Sequence, residues 1–168
     1  MVKRSGYNAG MRWLGTVLLL LLTGCGWLGQ DVAGRAVDYY NYMAGQSPQT
    51  AYSSFLSPAY RGQMTAEDLR KYDDTMRGSA VPNTRYPAAT TYDVKVVEQD
   101  GFAITAVNPE LGPMFAAQSP VRWVRAGRQW YLYLGASVEI VTYGEFPAEL
   151  QVPVWTAEEP EPEPEDGQ

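Results

Sequence analysis

Val121-Arg122-Trp123-Val124-Arg125-Ala126-Gly127-Arg128-Gln129-Trp130-Tyr131-Leu132-Tyr133 decides the fold. Residues 121–125 read as a strand, and Ala126-Gly127-Arg128 as its turn, with Gly127 supplying the positive φ that other residues avoid. The return strand runs from Gln129 to Leu134. Trp130, Leu132 and Leu134 share one face of it, and Tyr131 and Tyr133 the other, because strand side chains alternate. The same alternation lies upstream. Tyr92, Val94 and Val96 alternate with Asp93 and Lys95, and Phe102, Ile104 and Ala106 with Ala103 and Thr105. Asp100-Gly101 between them is a strong hairpin-turn dipeptide. The pattern predicts strands over 91–98 and 102–108. Val138, Ile140 and Thr142, opposite Glu139, Val141 and Tyr143, predict one more. The sum is an antiparallel sheet of four to five strands.

Before the sheet the period changes. Asp31 is an N-cap candidate. Ala33, Ala36, Val37, Tyr40, Met43 and Ala44 then form one helical face that ends at Gly45. Tyr39 and Tyr42 flank that face, which fits a core edge with hydroxyls reaching water better than a pocket lining. Ser47-Pro48 reads as N-cap plus first-turn proline, predicting a second helix to Leu56 that buries Ala51, Tyr52, Phe55 and Leu56. Ser57-Pro58 repeats the signal for a short turn through Arg61. Thr65-Ala66-Glu67-Asp68 resembles a capping box with Asp in the last place. The third helix continues to about Met76 and stops at Gly78. Three helices followed by a meandering sheet predict an α+β domain with the helices on one face.

The 108–118 segment carries Leu111, Met114 and Phe115, more apolar than most loops. Packing back over the core is favoured over a partner surface. Phe146, Leu150, Val152, Val154 and Trp155 form a sparse strip expected to lie extended along the sheet edge or the helices. Beyond it, 157–168 is Glu, Pro, Asp and Gly, the composition of a disordered, self-repelling tail.

The chain has 168 residues, a net charge of −6 and no histidine. Lacking histidine, it lacks the commonest general base and metal ligand, so serine–histidine and cysteine–histidine mechanisms are excluded. No cofactor is expected. Eight of the 19 acids lie beyond residue 144, so the acidic balance belongs mostly to the tail. No basic patch suggests nucleic acid. Asp38 and Asp93 sit at polar phases of their patterns and are expected to face solvent.

The first residues carry a different message. Lys3, Arg4 and Arg12 precede Leu14 to Leu22, an apolar run shorter than the roughly 20 residues that span a bilayer. The run ends in Leu22-Thr23-Gly24-Cys25, which resembles the lipobox of bacterial lipoproteins. The resemblance implies cleavage between Gly24 and Cys25, a diacylglyceryl group on the Cys25 thiol, and membrane attachment through that lipid. Two or more acyl chains anchor stably, at about 0.8 kcal/mol per buried CH₂. Cys25 is the only cysteine. Gly26 follows it where an Asp would suggest inner-membrane retention. The expected address is therefore the periplasmic face of the outer membrane, or the outer face of the cell membrane in a cell with one membrane. The expected organisation is a signal over 1–24, a tether over 25–30, a globular domain over 31–156 and the tail over 157–168.

The hairpin from Val121 to Tyr133, with a Trp on each strand around a Gly turn, resembles the cone-shaped nuclear-transport-factor-two-like superfamily, with the cystatin-like sheet as a close neighbour. The resemblance implies a curved sheet with a concave face. Many members place a strand before the third helix, and this sequence has none there. Some members are isomerases, dehydratases or cyclases; others are inert binding modules, and fold alone does not choose between them. No catalytic Asp–Tyr or Asp–His pair maps onto this chain. The expected function is a non-catalytic envelope lipoprotein domain for a protein partner or small apolar ligand. Tyr39, Trp123, Trp130, Tyr131 and Tyr133 are its candidate surface. The alternatives are an isomerase or cyclase with an Asp or Glu base and a Tyr acid, and an assembly factor of an outer-membrane complex acting through the tail or the 108–118 loop.

Overall fold

The computed structural model describes residues 30–78 and 86–155. The signal box, Cys25 and the acidic tail lie outside them. The first helix, α1 (Val32–Met43), starts where expected: the Asp31 carboxylate accepts from the Gly34 amide at 2.6 Å. This satisfies one of the orphan N–H groups of the first turn. Gly45, at φ 77°, follows its end. The buried face is wider than its spacing predicts. Val32, Ala36, Tyr40 and Met43 are buried, and so are Tyr39 and Tyr42. Their hydroxyls do not reach water as expected. Tyr39 donates to Gln118 Oε1 at 3.4 Å, and the buried Tyr42 hydroxyl has no hydrogen-bond partner among the described residues.

Residues 48–56 do not form the expected second helix. Only a 3₁₀ turn forms, at Tyr52–Phe55. Two contacts explain the difference. Asp73 takes the Ser53 amide and hydroxyl at 2.6 and 2.9 Å. Leu56, held extended, forms a parallel bridge to Leu132 at the sheet edge. Ser57 then caps α2 (Pro58–Arg61). Thr65 and Asp68 exchange the expected capping bonds at the start of α3 (Ala66–Gly78).

Four antiparallel strands follow in the order β1-β2-β3-β4. They are β1 (Val94–Gln99), β2 (Phe102–Val107), β3 (Val121–Ala126) and β4 (Gln129–Leu132). Asp100 and Gly101 both take positive φ, as a two-residue hairpin turn requires. Strand β1 starts later than its alternation predicts. Thr90 and Asp93 form a capping box that folds Thr91–Asp93 into a 3₁₀ turn and leaves Tyr92 91% exposed. The 108–118 segment packs back as favoured: Phe115, on α4 (Pro113–Ala117), is buried in the core.

Every residue of β2 is buried, because both faces of the sheet are covered. On one face Trp123, Trp130 and Leu132 pack with Tyr40, Phe55, Leu56 and Phe115. Each fully buried aliphatic or aromatic side chain there stabilises by about 1.5–3 kcal/mol. Arg35 ties this layer to the sheet: it donates to the carbonyls of Ser54 and Trp130 and stacks 4.2 Å from the Phe55 ring centre. On the other face Phe102, Ile104, Val124, Tyr131 and Tyr133 pack under Leu150, with Phe146 and Tyr143 alongside. The C-terminal strip therefore covers a face of the sheet. Trp155 reaches the Ala106 carbonyl at 3.3 Å.

The fifth strand expected over 138–143 is a helix, α5 (Ser137–Tyr143). Its polarity is inverted. Glu139 is wholly buried, while Val141 is 87% and Ile140 38% exposed. Glu139 Oε2 accepts from the Leu134 amide at 2.8 Å, and Tyr143 accepts from the Ala59 amide at 3.3 Å. These two anchors, one turn apart, hold α5 against the end of β4 and against α2. Among the described residues the sheet thus has four strands, and the architecture is α+β.

Candidate functional site

A cleft of about 460 Å³ opens where β3 begins and β4 ends. It lies within the range of small-molecule pockets, roughly 300–1,000 Å³. Its walls come from six separate segments. Tyr39 on α1 and Tyr52 on the 3₁₀ turn form the helix-side wall. Residues 117–122, including Gln118 and Arg122, run down from α4 into β3. Leu132, Tyr133 and Leu134 leave β4, Ile104 lies on β2, and Val152 closes the rim from the C-terminal strip.

Local rules put these side chains there. Val121 and Trp123 point to the helix layer, so Arg122 between them must point to the other face. Its guanidinium lies 4.9 Å from the Phe146 ring centre. Arg122 is directly opposite Ile104 on β2, which brings a cation beside an apolar floor. Tyr39 sits in an edge-to-face lattice, its ring 5.5 Å from Phe55 and 5.8 Å from Trp123. Such pairs add about 0.5–1.5 kcal/mol beyond burial and fix the ring. The wall is therefore rigid where Tyr39 faces the cleft.

The electrostatics are simple. Burial pushes the Tyr39 and Tyr52 phenols well above the usual tyrosine range; Tyr40 and Tyr72 add to it at Tyr39, where the hydrogen bond with Tyr52 partly offsets it, and Tyr39 and Tyr72 add to it at Tyr52. Both remain neutral O–H groups at physiological pH. No carboxylate lines the cleft among the described residues, and Arg122 is the single formal charge there. The wholly buried Glu139 holds the Leu134 backbone and is not among the lining residues.

The five aromatics singled out by sequence divide. Tyr39 and Tyr133 line the cleft. Trp123, Trp130 and Tyr131 do not; they are 0%, 4% and 9% exposed and pack the two faces of the sheet. Trp123 also donates to Thr105 Oγ1 at 2.9 Å. Cys25 and Gly24 lie outside the described residues. Sequence reasoning does not single out Tyr52, Gln118, Arg122, Leu132 or Val152 as a group. Arg122 occupies an ordinary outward position of an alternating strand, and only the fold brings the others to it. Asp38 faces solvent as expected and accepts from Gln30 at 2.7 Å. Asp93 is half-buried, because its carboxylate caps the turn at Thr90.

No family model, curated protein or solved structure matches this chain. Among the described residues no helix is long and apolar enough to cross a membrane. None of their His, Cys, Asp or Glu side chains gather in groups of three or more that could hold a metal ion.

Proposed function

We propose that this chain is a membrane-anchored envelope lipoprotein whose small α+β domain binds a ligand or partner without catalysing a reaction. The observation that carries the reading is the lone Cys25 ending Leu22-Thr23-Gly24-Cys25 behind a basic start and a short apolar run. The anchor places the domain at the periplasmic face of the outer membrane in a cell with two membranes, and on the outer face of the cell membrane otherwise. The binding half of the reading is supported by the cleft, whose lining holds a cation and neutral phenols and no carboxylate base among the described residues. The absence of histidine supports a non-catalytic role. We also infer a nuclear-transport-factor-two-like cone. The helices that precede the meander and the Trp-bearing hairpin support it.

Replacing Cys25 with Ser tests the anchor. The wild-type chain should incorporate an alkyne-tagged fatty acid and have the mass of a product starting at Cys25. The variant should incorporate none and keep the precursor mass. A Cys25→Ser protein that still partitions with membranes at the cleaved mass would sink the reading.

A further inference from the structure

Helix α5 presents an apolar, uncharged stripe to the outside. Ile140 and Val141 lie three and four positions beyond Ser137 and share one side of the helix with it. Val141 is 87% exposed. Thr142, beside them, spends its hydroxyl on the Val138 carbonyl at 2.7 Å, and Tyr143 turns its own to the Ala59 amide. The one charge of the helix, Glu139, is wholly buried, although its Oε1 has no hydrogen-bond partner among the described residues. By contrast, α3 carries the exposed ion pairs Arg70–Asp74 and Lys71–Glu67, as a helix facing water does. The position of α5 points to what covers its stripe. The first turn of α1 is tied to the start of the outer strand β4 by Arg35 and the Trp130 carbonyl, and α5 to its end by Glu139 and the Leu134 amide. Four residues of strand separate these ties, about 13 Å. Arg61, on the α2 turn that packs against α5, lies close enough to Arg35 for the two charges to repel. The start of α1 and α5 therefore lie along the same edge of the sheet. Cys25 stands six residues before Asp31, and six residues reach at most about 20 Å. A lipid on Cys25 keeps a bilayer within reach of α5.

We propose that α5 rests its outward stripe on the bilayer surface, with Ile140 and Val141 entering the interface, as a second point of attachment for the domain. This contact rests on the reading of the chain as a lipid-anchored protein. Helices lying in the interface bury their apolar side about 5–10 Å into the headgroup and acyl boundary. A seven-residue helix does not fold there alone, but α5 is already held by its contacts with α2 and Leu134. The anchor also lowers the affinity required, because a tethered contact works at an effective concentration of about millimolar. The contact fixes the tilt of the domain: β4 lies towards the lipid, and β1, at the other edge of the sheet, away from it.

The experiment uses the full chain in phosphatidylcholine nanodiscs, after its mass has established the lipid on Cys25. Ser137→Cys on α5 and Glu98→Cys on β1, both at exposed positions, each supply the only free thiol for an NBD fluorophore. Phosphatidylcholine bearing a doxyl group near the headgroup end of its acyl chain quenches NBD by contact. Emission at residue 137 should fall at least about twofold with the doxyl lipid, and emission at residue 98 should not change. Val141→Lys, added to Ser137→Cys, should abolish the quenching, and Val141→Leu should keep it. A circular-dichroism melt of each variant verifies its fold. Unquenched emission at 137, equal quenching at 137 and 98, or quenching that survives Val141→Lys overturns the contact while the anchor reading stands. A chain whose mass shows no lipid on Cys25 overturns the anchor reading and this contact with it.

Discussion

Thr105 is the buried polar centre of the sheet, and Thr105→Val isolates what it contributes. The residue is 0% exposed on the central strand β2. Its Oγ1 accepts from Trp123 Nε1 at 2.9 Å and lies 3.2 Å from the Tyr40 hydroxyl, which also donates to the Thr105 carbonyl at 3.3 Å. Valine matches threonine in shape, so the substitution opens no cavity and removes only the hydroxyl. The Trp123 indole N–H, on a side chain itself 0% exposed, then has no acceptor. Stranding such a donor costs about 1–3 kcal/mol. Tyr40 keeps its carbonyl acceptor and loses about 0.5 kcal/mol. Extra methyl burial returns a fraction of about 0.8 kcal/mol. The net destabilisation is about 2 kcal/mol. Thr105→Ser keeps the hydroxyl, loses a methyl, and should cost about 1 kcal/mol.

Urea denaturation of the full chain, followed by tryptophan fluorescence, measures this. With a slope of about 1.5 kcal/mol/M for a domain of this size, the Thr105→Val midpoint should fall by roughly 1.3 M. The slope itself should not change. Tyr40→Phe combined with Thr105→Val should cost less than the sum of the two, since both act on one network. A Thr105→Val midpoint within about 0.3 M of wild type would refute the argument that this hydroxyl is the acceptor of Trp123.

Two other expectations come from the fold. Burial raises the phenol pKa values of Tyr39, Tyr40 and Tyr52. Unfolded tyrosines ionise near pH 10 while these hold their protons, so the unfolded state loses protons first. Their stabilisation is therefore complete below about pH 10 and declines as pH rises above it; urea midpoints from pH 8 to 11 and tyrosinate absorbance measure it, and Tyr39→Phe should flatten the decline. On α5, Val141→Lys should change stability by less than about 0.5 kcal/mol, because Val141 is 87% exposed. Glu139→Ala should cost about 1–3 kcal/mol by leaving the Leu134 amide without its acceptor; the opposite ranking in denaturation midpoints would return residues 138–143 to a strand.

The parts of the fold that were legible in the sequence are those fixed by neighbours in the chain. Asp100-Gly101 and Gly127 set the hairpin turns through their own φ preferences, and the antiparallel pairing of β1 with β2 and of β3 with β4 follows from them. Asp31, Ser57 and Thr65 mark helix starts because a cap is a contact over three residues. Where a distant contact decides, the local pattern misleads. Val138-Glu139-Ile140-Val141-Thr142-Tyr143 is rich in β-branched residues and alternates like a strand, yet it is a short helix. A run this short fits either period. What settles it is the amide of Leu134, which draws the carboxylate inward and turns the apolar side chains out. Burial of both sheet faces had a signal in the sequence: Phe102 to Val107 contains no charged residue, and Tyr131 and Tyr133 add aromatics opposite Trp130 and Leu132. A half-solvated sheet would alternate more strictly.

The cleft had no such signal, and the reason bears on how far its function can be read from residue types. Its walls are drawn from positions 39, 52, 104, 117–122, 132–134 and 152, which no periodicity connects. Of the aromatic residues in the most aromatic stretch of the chain only Tyr133 lines it, because Trp123, Trp130 and Tyr131 are consumed in packing. An aromatic residue is a poor marker of a site in a two-sided sheet, since both faces need large side chains. Arg122 is the better marker. It is a charge on a strand whose neighbours Trp123 and Val124 are buried on opposite faces, it sits beside Phe146, and it has no carboxylate partner among the described residues. A cation that contributes to no ion pair there, on a wall without acids, is where a ligand's charge would make the largest difference.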